Sequence, residues 1–338
     1  MTPNFRTFLF VCFSLLFAGV STVWADDAPP PCRGTDMLAE LQTRSPDAYK
    51  AVIEESRQTS NTEAVLWKIE KPGVVPSYLL GTMHLSDPRI SRLSARQQDL
   101  IAHSKSVALE VADLSEKAVG DAMLKAGHLL VYTDGRTLNS QLSDEEFKVV
   151  QRIVKQAGMP EQSSALIKPW LVSMLLATSA CERKQVESGA KVLDLQVALE
   201  AQKNGLTVKG LETIEQQLKS LASIADDQQI EMLKVGLKYA DRTDDLMESI
   251  VQMYLRRDIG AAMPFQLALA AESGVPASAF DGFKTALLSD RNVRMRDAAE
   301  PLLQDGSAFI AVGALHLVGP TGLVALLRER GYTVTAVE

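Results

Sequence analysis

Cysteine and histidine are scarce in this 338-residue chain, at three and four residues. Cysteines at 12, 32 and 181 are too few for a disulfide-dense miniprotein, and neither their number nor their spacing suits a zinc–thiolate cluster. Basic stripes are also missing. Lys plus Arg total 35 against 42 acids, for a net charge of −7, so a nucleic-acid partner is excluded: phosphate contacts need clustered cations. There is no long repeat and no low-complexity tract, and 46% hydrophobic with 23% charged residues excludes a wholly disordered or collagen-like chain. Two catalytic signatures are absent as well. No His-Glu-x-x-His helix is present, so this is not an ordinary zincin, and no Gly-x-Ser-x-Gly elbow supports a serine esterase.

What is there begins with an export pattern. Arg6 precedes the apolar run 8–20, and Val23-x-Ala25 offers small residues at the cleavage positions before Asp26. The reading is a signal peptide over 1–25, cleaved after Ala25, and a linker over 26–34, with an uncleaved anchor helix as the rival. Removal leaves 313 residues at net charge −8, since Arg6 is the one charge lost, and the location is periplasmic or secreted. Cys12 departs with the signal. Cys32 and Cys181 then form one disulfide or stay as two buried thiols, and sequence does not choose between these.

Residues 35–338 read as one domain. Strands are expected at 64–69, 77–84, 106–111, 207–211, 308–312 and 333–337, the first two as a hairpin about Lys71-Pro72-Gly73. Helices are expected from Asp87-Pro88 to about 101, through 115–183, at 194–204, 214–257, 281–303 and 321–330. Short strands alternating with helices predict an α/β (α+β) fold, a central mixed sheet flanked by helices, with a large helical insertion at about 115–183 and 214–303. The stretch 306–327 holds no Asp, Glu, Lys or Arg and mimics a membrane span, but Gly313, Gly319-Pro320 and Gly322 break it into a strand, a turn and a helix. No stable span is expected once the signal is removed.

Two segments share one pattern: Leu79-Leu80-Gly81-Thr82-Met83-His84-Leu85 and Ala311-Val312-Gly313-Ala314-Leu315-His316-Leu317. Each is an apolar strand followed by Gly-x-x-His. Such a strand aims its carboxyl end at one sheet edge, where ligands of open α/β sheets collect, and the glycine permits close backbone approach. The bland alternative is a pair of core histidines bonded to carbonyls. His103 and His128 read as surface residues. Glu110, at the end of an apolar strand, is a metal ligand or general base if it lies beside His84, and otherwise an edge carboxylate reaching water. Glu212 repeats that arrangement. On the helix around 288–302, Asn292 interrupts an apolar stripe with Arg291 beside it. This pair orients a carboxylate, polarises a substrate carbonyl, or forms a salt bridge to an acid on the sheet.

Taken together, Gly81-Thr82-Met83-His84, Leu109-Glu110, Gly210-Leu211-Glu212-Thr213 with Gln216, Arg291-Asn292-x-x-Met295 and Gly313-Ala314-Leu315-His316 resemble the TraB/GumN family, which includes the Tiki proteases. The motifs follow the family's order over about residues 36–338. Val192-Leu193-Asp194 stands where the family usually has Gly-Val-Asp. The resemblance implies a metal-dependent protease with the two Gly-x-x-His motifs and acidic residues as the active site.

The expectation is therefore an exported metal-dependent hydrolase acting on a peptide or another envelope substrate. His84, His316 and Glu110 bind zinc, manganese or cobalt, Glu212 is ligand or base, and Arg291 or Asn292 stabilises the developing oxyanion. The rivals are a non-catalytic metal- or haem-binding protein and an accessory protein of envelope polysaccharide assembly. The first reading requires His84, Glu110, Glu212 and His316 to meet at one sheet edge.

Overall fold

The computed structural model describes residues 32–338 apart from residue 114. The expected signal peptide, its cleavage site and the first two thirds of the linker (26–31) lie outside the described residues. Six strands form one open mixed sheet: β1 (Leu66–Lys71), β2 (Val74–Thr82), β3 (Ser106–Leu109), β4 (Val208–Gly210), β5 (Ala308–Gly313) and β6 (Thr333–Ala336), in the order β4-β3-β5-β2-β1-β6. β4, β3, β5 and β2 run parallel, and β1 is antiparallel to both its neighbours. This is the expected α/β architecture of a mixed sheet flanked by helices.

Strand periodicity divides the core into two layers. Trp67, Leu79, Ala108, Ile310 and Val312 pack on one face against Met295, Ala299 and Leu302 of the helix Asp290–Asp305 and against Val324 and Leu327 of the helix Leu323–Glu329. Leu66, Leu80, Val107, Phe309 and Ala311 point the other way, toward Val197 and Ala201 of the helix Leu193–Lys203 and Tyr254 of the helix Thr243–Leu255. β5, covered on both faces, is apolar along its whole length, as a central parallel strand must be. A separate helical core gathers Val150, Val154, Val172, Leu218 and Leu233.

Several boundaries differ from the sequence reading. Asp87-Pro88 opens no helix. It makes a turn whose Asp87 carbonyl accepts from Ile90 and Ser91, and the helix starts at Ala95, behind a Ser94–Gln97 capping box. The stretch 214–257 is three helices, Ile214–Ala222, Asp226–Lys238 and Thr243–Leu255, because amphipathic periodicity continues across turns that lack glycine or proline. A helix at Ala262–Glu272, closed by Gly274 in the left-handed region, lies between the helices expected at 214–257 and 281–303. The helix bearing Arg291 and Asn292 begins with a π-helical segment, Lys284–Ser289, so the expected stripe is buried from Asn292 onward while Leu288 is half-buried. The uncharged stretch 306–327 resolves into β5, the short turn Ala314–His316 and the start of a seven-residue helix. Among the described residues, no helix is long and apolar enough to cross a membrane.

Cys32 and Cys181 form a disulfide, their Cα atoms 5.8 Å apart, which decides the alternative left open above.

Candidate metal centre

Register places the site. Thr82 of β2 lies beside Gly313 of β5, and Leu109 of β3 lies between Ala311 of β5 and Gly210 of β4, so four parallel strands end nearly level. The strands expected at 77–84, 106–111 and 207–211 therefore end earlier than expected, at Thr82, Leu109 and Gly210, and His84, Glu110, Glu212 and His316 all follow a strand end. Glu212 donates its N–H to the Glu110 carbonyl at 2.7 Å, which carries the β3–β4 ladder one step further.

Glu110 is the hub. Its Oε1 accepts the Gly313 N–H at 2.7 Å and faces His316 Nε2 at 3.7 Å and His84 Nε2 at 4.0 Å. Its Oε2 accepts from Arg291 Nη2 at 2.6 Å and from Gln217 Nε2 at 3.1 Å. Burial by itself would push this carboxyl up. The imidazoles, the Arg291 guanidinium and the Gly313 N–H outweigh burial and hold it well below the usual carboxylate range.

The two imidazoles reach Glu110 with the same nitrogen for related reasons. His84 Nδ1 lies 3.0 Å from Asp194 Oδ2, and Asp194 Oδ1 accepts the Thr82 hydroxyl at 2.8 Å. A carboxylate only accepts, so Nδ1 donates. His316 Nδ1 lies 2.7 Å from Asn292 Oδ1, and the Asn292 amide donates to the Thr321 carbonyl at 2.8 Å. That second bond orients the amide, so His316 Nδ1 also donates. Both rings thus turn Nε2 toward Glu110, the arrangement in which outer partners orient histidine ligands.

Their proton affinities diverge. The Asp194 carboxylate holds His84 up at about 9, against burial and Arg291, with Glu110 adding to the pull. Burial drives His316 down to about 3, with Arg291 and His84 reinforcing it and Glu110 opposing. His84 has a half-exposed side chain, whereas His316 is 5% exposed.

Gly313 forms the floor. A Cβ built on it would sit 3.2 Å from Glu110 Oε1, 3.5 Å from His316 Cδ2 and 3.6 Å from His84 Nε2, at the centre of the group. Gly81 serves packing instead: a Cβ there would lie 3.0–3.2 Å from Leu317 and Ala314, and its carbonyl accepts the Tyr254 hydroxyl at 2.8 Å.

Two imidazole nitrogens and a carboxylate oxygen are a fitting donor set for a divalent transition ion. Ligands about 2.0–2.2 Å from one tetrahedral ion stand roughly 3.4 Å apart, close to the two Glu110–histidine separations. The side between the imidazoles is wider. Among the described residues, only Cys32, Cys181 and Asp244 bring three His, Cys or acidic ligand atoms mutually within 4.8 Å, and those sulfurs are joined to each other. His84, half-exposed, is the member with room to move.

Three of the expected catalytic groups stand behind this centre rather than lining it. Glu212 has a fully buried side chain, with Oε2 bonded to Arg291 Nε at 2.8 Å and Oε1 to Arg294 at 3.1–3.2 Å. Arg291 bonds the two glutamates through Nε and Nη2, which is the salt-bridge arrangement to acids at the sheet edge. Asn292 is 1% exposed and committed to His316 and Thr321. Sequence reasoning gave no role to Asp194, Thr82, Gln217 or Arg294. Asp194, an acid on the buried side of a helix's first turn, was the one with a visible signal. His103 and His128 are exposed, as expected.

Residues 65–336 match the TraB/PrgY/gumN family. Among similar proteins, a metalloprotease TIKI homolog of Nematostella vectensis is 23% identical over 84% of this chain and 69% of its own length. Metalloprotease TIKI2 of Xenopus tropicalis is 26% identical over 89% of this chain and 65% of its own. The uncharacterized protein YbaP of Escherichia coli (strain K12) is 23% identical over 77% of this chain and 90% of its own. No solved structure matches. With the match running from β1 to the last residue of β6, through every strand that carries the Glu110 cluster, the chain belongs to the TraB/PrgY/gumN family.

Proposed function

We propose that this protein is an exported metal-dependent hydrolase that cleaves peptides or another envelope substrate. The observation that carries the reading is the convergence of two histidines, each turned by its Nδ1 partner, on one oxygen of Glu110 over the bare floor of Gly313. Similarity to proteins named metalloproteases supports the same chemistry.

In this reading His84, His316 and Glu110 hold zinc, manganese or cobalt. An ion bound there supplies Lewis-acid polarisation of a carbonyl and a water made acidic enough to attack near neutral pH. Asp194 and Asn292 fix the ring orientations. Arg291 holds Glu110 charged, and Glu212 with Arg294 keeps Arg291 in place. His84, on the solvent side, marks the approach for substrate. The Cys32–Cys181 bridge supports an oxidising compartment, and with it export and cleavage after Ala25, which mass spectrometry of the mature amino terminus tests.

The decisive experiment measures bound metal and turnover on a peptide panel for wild type, H84A, H316A and the double variant. If one ion is shared, each single variant loses most metal and activity, and the double is little worse than either. Metal retained by both single variants overturns the reading. Bound metal without turnover leaves a binding protein instead.

A further inference from the structure

His84 is the exposed member of the pair, and β2 does not fix it, because the strand ends at Thr82. Residues 83–91 form neither helix nor strand. Side chains from distant elements hold this loop. Glu182 Oε1 accepts the Ser86 N–H at 2.7 Å, and the two residues are 5% and 6% exposed. Further along, Arg89 bonds both Asp87 and Glu248, and the Ser91 hydroxyl donates to the Ser86 carbonyl at 3.2 Å. At the buried end of the loop, two residues from His84, Glu182 is thus the side chain from a distant element that holds the Ser86 N–H.

Glu182 is itself anchored. It lies in the first turn of the helix Ala180–Glu187, where the Ser179 hydroxyl accepts its N–H at 3.0 Å. Its neighbour Cys181 is bonded to Cys32, and the chain after Cys32 is tied to the helix Thr243–Leu255, with Thr35 N–H on Asp245 at 2.8 Å and Met37 N–H on Ser249 at 2.7 Å. The bridge therefore fastens the helix at the point where Glu182 leaves it. Burial pushes the Glu182 carboxyl up, and the nearby Asp87 and Asp244 add to this, while Ser86 pulls it back. A buried acid is a costly loop anchor, and a neutral acceptor would hold an N–H with less desolvation.

We propose that Glu182, anchored by the Cys32–Cys181 bridge, is a positioning residue that holds the Ser86 end of the loop and so keeps His84 over Glu110 and beside His316. The proposal rests on reading His84 as a metal ligand.

Wild type, E182A, E182Q, E182D and C32S/C181S are compared by amide hydrogen exchange over residues 84–92 and by Zn2+ affinity in competition with a chelator. In E182A the Ser86 segment exchanges about 10-fold faster or more, and Zn2+ affinity falls about 3- to 10-fold, somewhat less than for loss of a direct histidine partner. E182Q keeps the acceptor oxygen and restores both readings to near wild type, which loss of general stability would not do. C32S/C181S shifts both in the direction of E182A. Slow exchange in β5 certifies that each variant is folded, and E182D, which shortens the reach by one methylene, carries the test if E182A is not. Wild-type exchange at Ser86 together with wild-type Zn2+ affinity in E182A, or in E182D in its place, overturns the proposal. Wild-type protein that takes up no metal overturns the reading of the centre, while exchange at Ser86 separately supports or overturns the Glu182 anchor.

Discussion

The two Gly-x-x-His segments are near copies in sequence and opposites in environment. His84 is half-exposed, paired with the Asp194 carboxylate and held as a cation, whereas His316 is buried, paired with the neutral Asn292 amide and held uncharged. The glycines divide in the same way, Gly313 clearing space for the centre and Gly81 for packing. A motif fixes where an imidazole starts, but burial and the partner at Nδ1 set its charge. One charged and one neutral histidine on the same glutamate form an asymmetric site, with one side facing solvent and the other rooted in the core.

The largest way to break this contrast is to remove the cation that keeps Glu110 charged between the rings. Arg291→Met leaves Glu110 without its main counter-ion and Glu212 with only Arg294, and urea denaturation should show a loss of about 3–5 kcal/mol. A loss under about 1 kcal/mol would mean that the acids reach water or neutralise without help.

Truncating each histidine should give unequal costs at neutral pH in metal-free protein. H316A strands the Asn292 carbonyl in the core and costs about 1–3 kcal/mol. H84A opens a solvent-facing gap and removes a screened pair, at less than about 1 kcal/mol. Equal losses from the two substitutions would dissolve the asymmetry.

The glycines can be separated by adding one methyl to each. Gly81→Ala presses on Leu317 and Ala314 and should cost about 1–3 kcal/mol. Gly313→Ala meets the flexible ends of Glu110 and the imidazoles, so Zn2+ uptake should suffer more than the melting temperature. Normal Zn2+ uptake in Gly313→Ala would argue against an ion seated over that floor.

Exchanging the Nδ1 partners sharpens the comparison further. In Asp194→Asn, the His84 ring should titrate well below its present value of about 9, moving toward the ordinary 6.5. In Asn292→Asp, His316 should rise from about 3, because a carboxylate now faces Nδ1. Imidazole signals followed by NMR across the pH range decide both, and an unmoved His84 in the Asp194 variant would show that another group sets its charge.

The smallest effect is the sign of stability against pH in metal-free protein. His84 binds its proton more tightly folded than unfolded, so its contribution is complete below about 6.5 and is lost as pH rises through about 9. His316 does the reverse: the unfolded chain takes up a proton that the folded chain refuses, so stability drains away as pH falls from 6.5 toward about 3. H84A should flatten the alkaline slope and H316A the acidic one. Slopes unchanged in both variants would assign the pH dependence elsewhere.

Much of this site was legible in the chain. The recurrence of Gly-x-x-His after an apolar run located both histidines, and a carboxylate closing the apolar run at Glu110 marked its partner. The roles of Glu212, Arg291 and Asn292 were harder to read, because a buried polar residue looks the same in sequence whether it faces a ligand or braces a residue that does. Asp194 escaped for a related reason: nothing local says that an acid 110 positions away will meet His84.

Local chemistry is enough to determine the strands, their apolar faces and which residues follow their ends, since side-chain alternation and turn residues act over a few positions. Four parallel strands then bring those ends to one edge. Only tertiary structure decided which oxygen each imidazole faces, which histidine is charged, and that Cys32 and Cys181 join. Those outcomes depend on burial and on partners contributed by distant helices, and neither is encoded in the spacing of the motif.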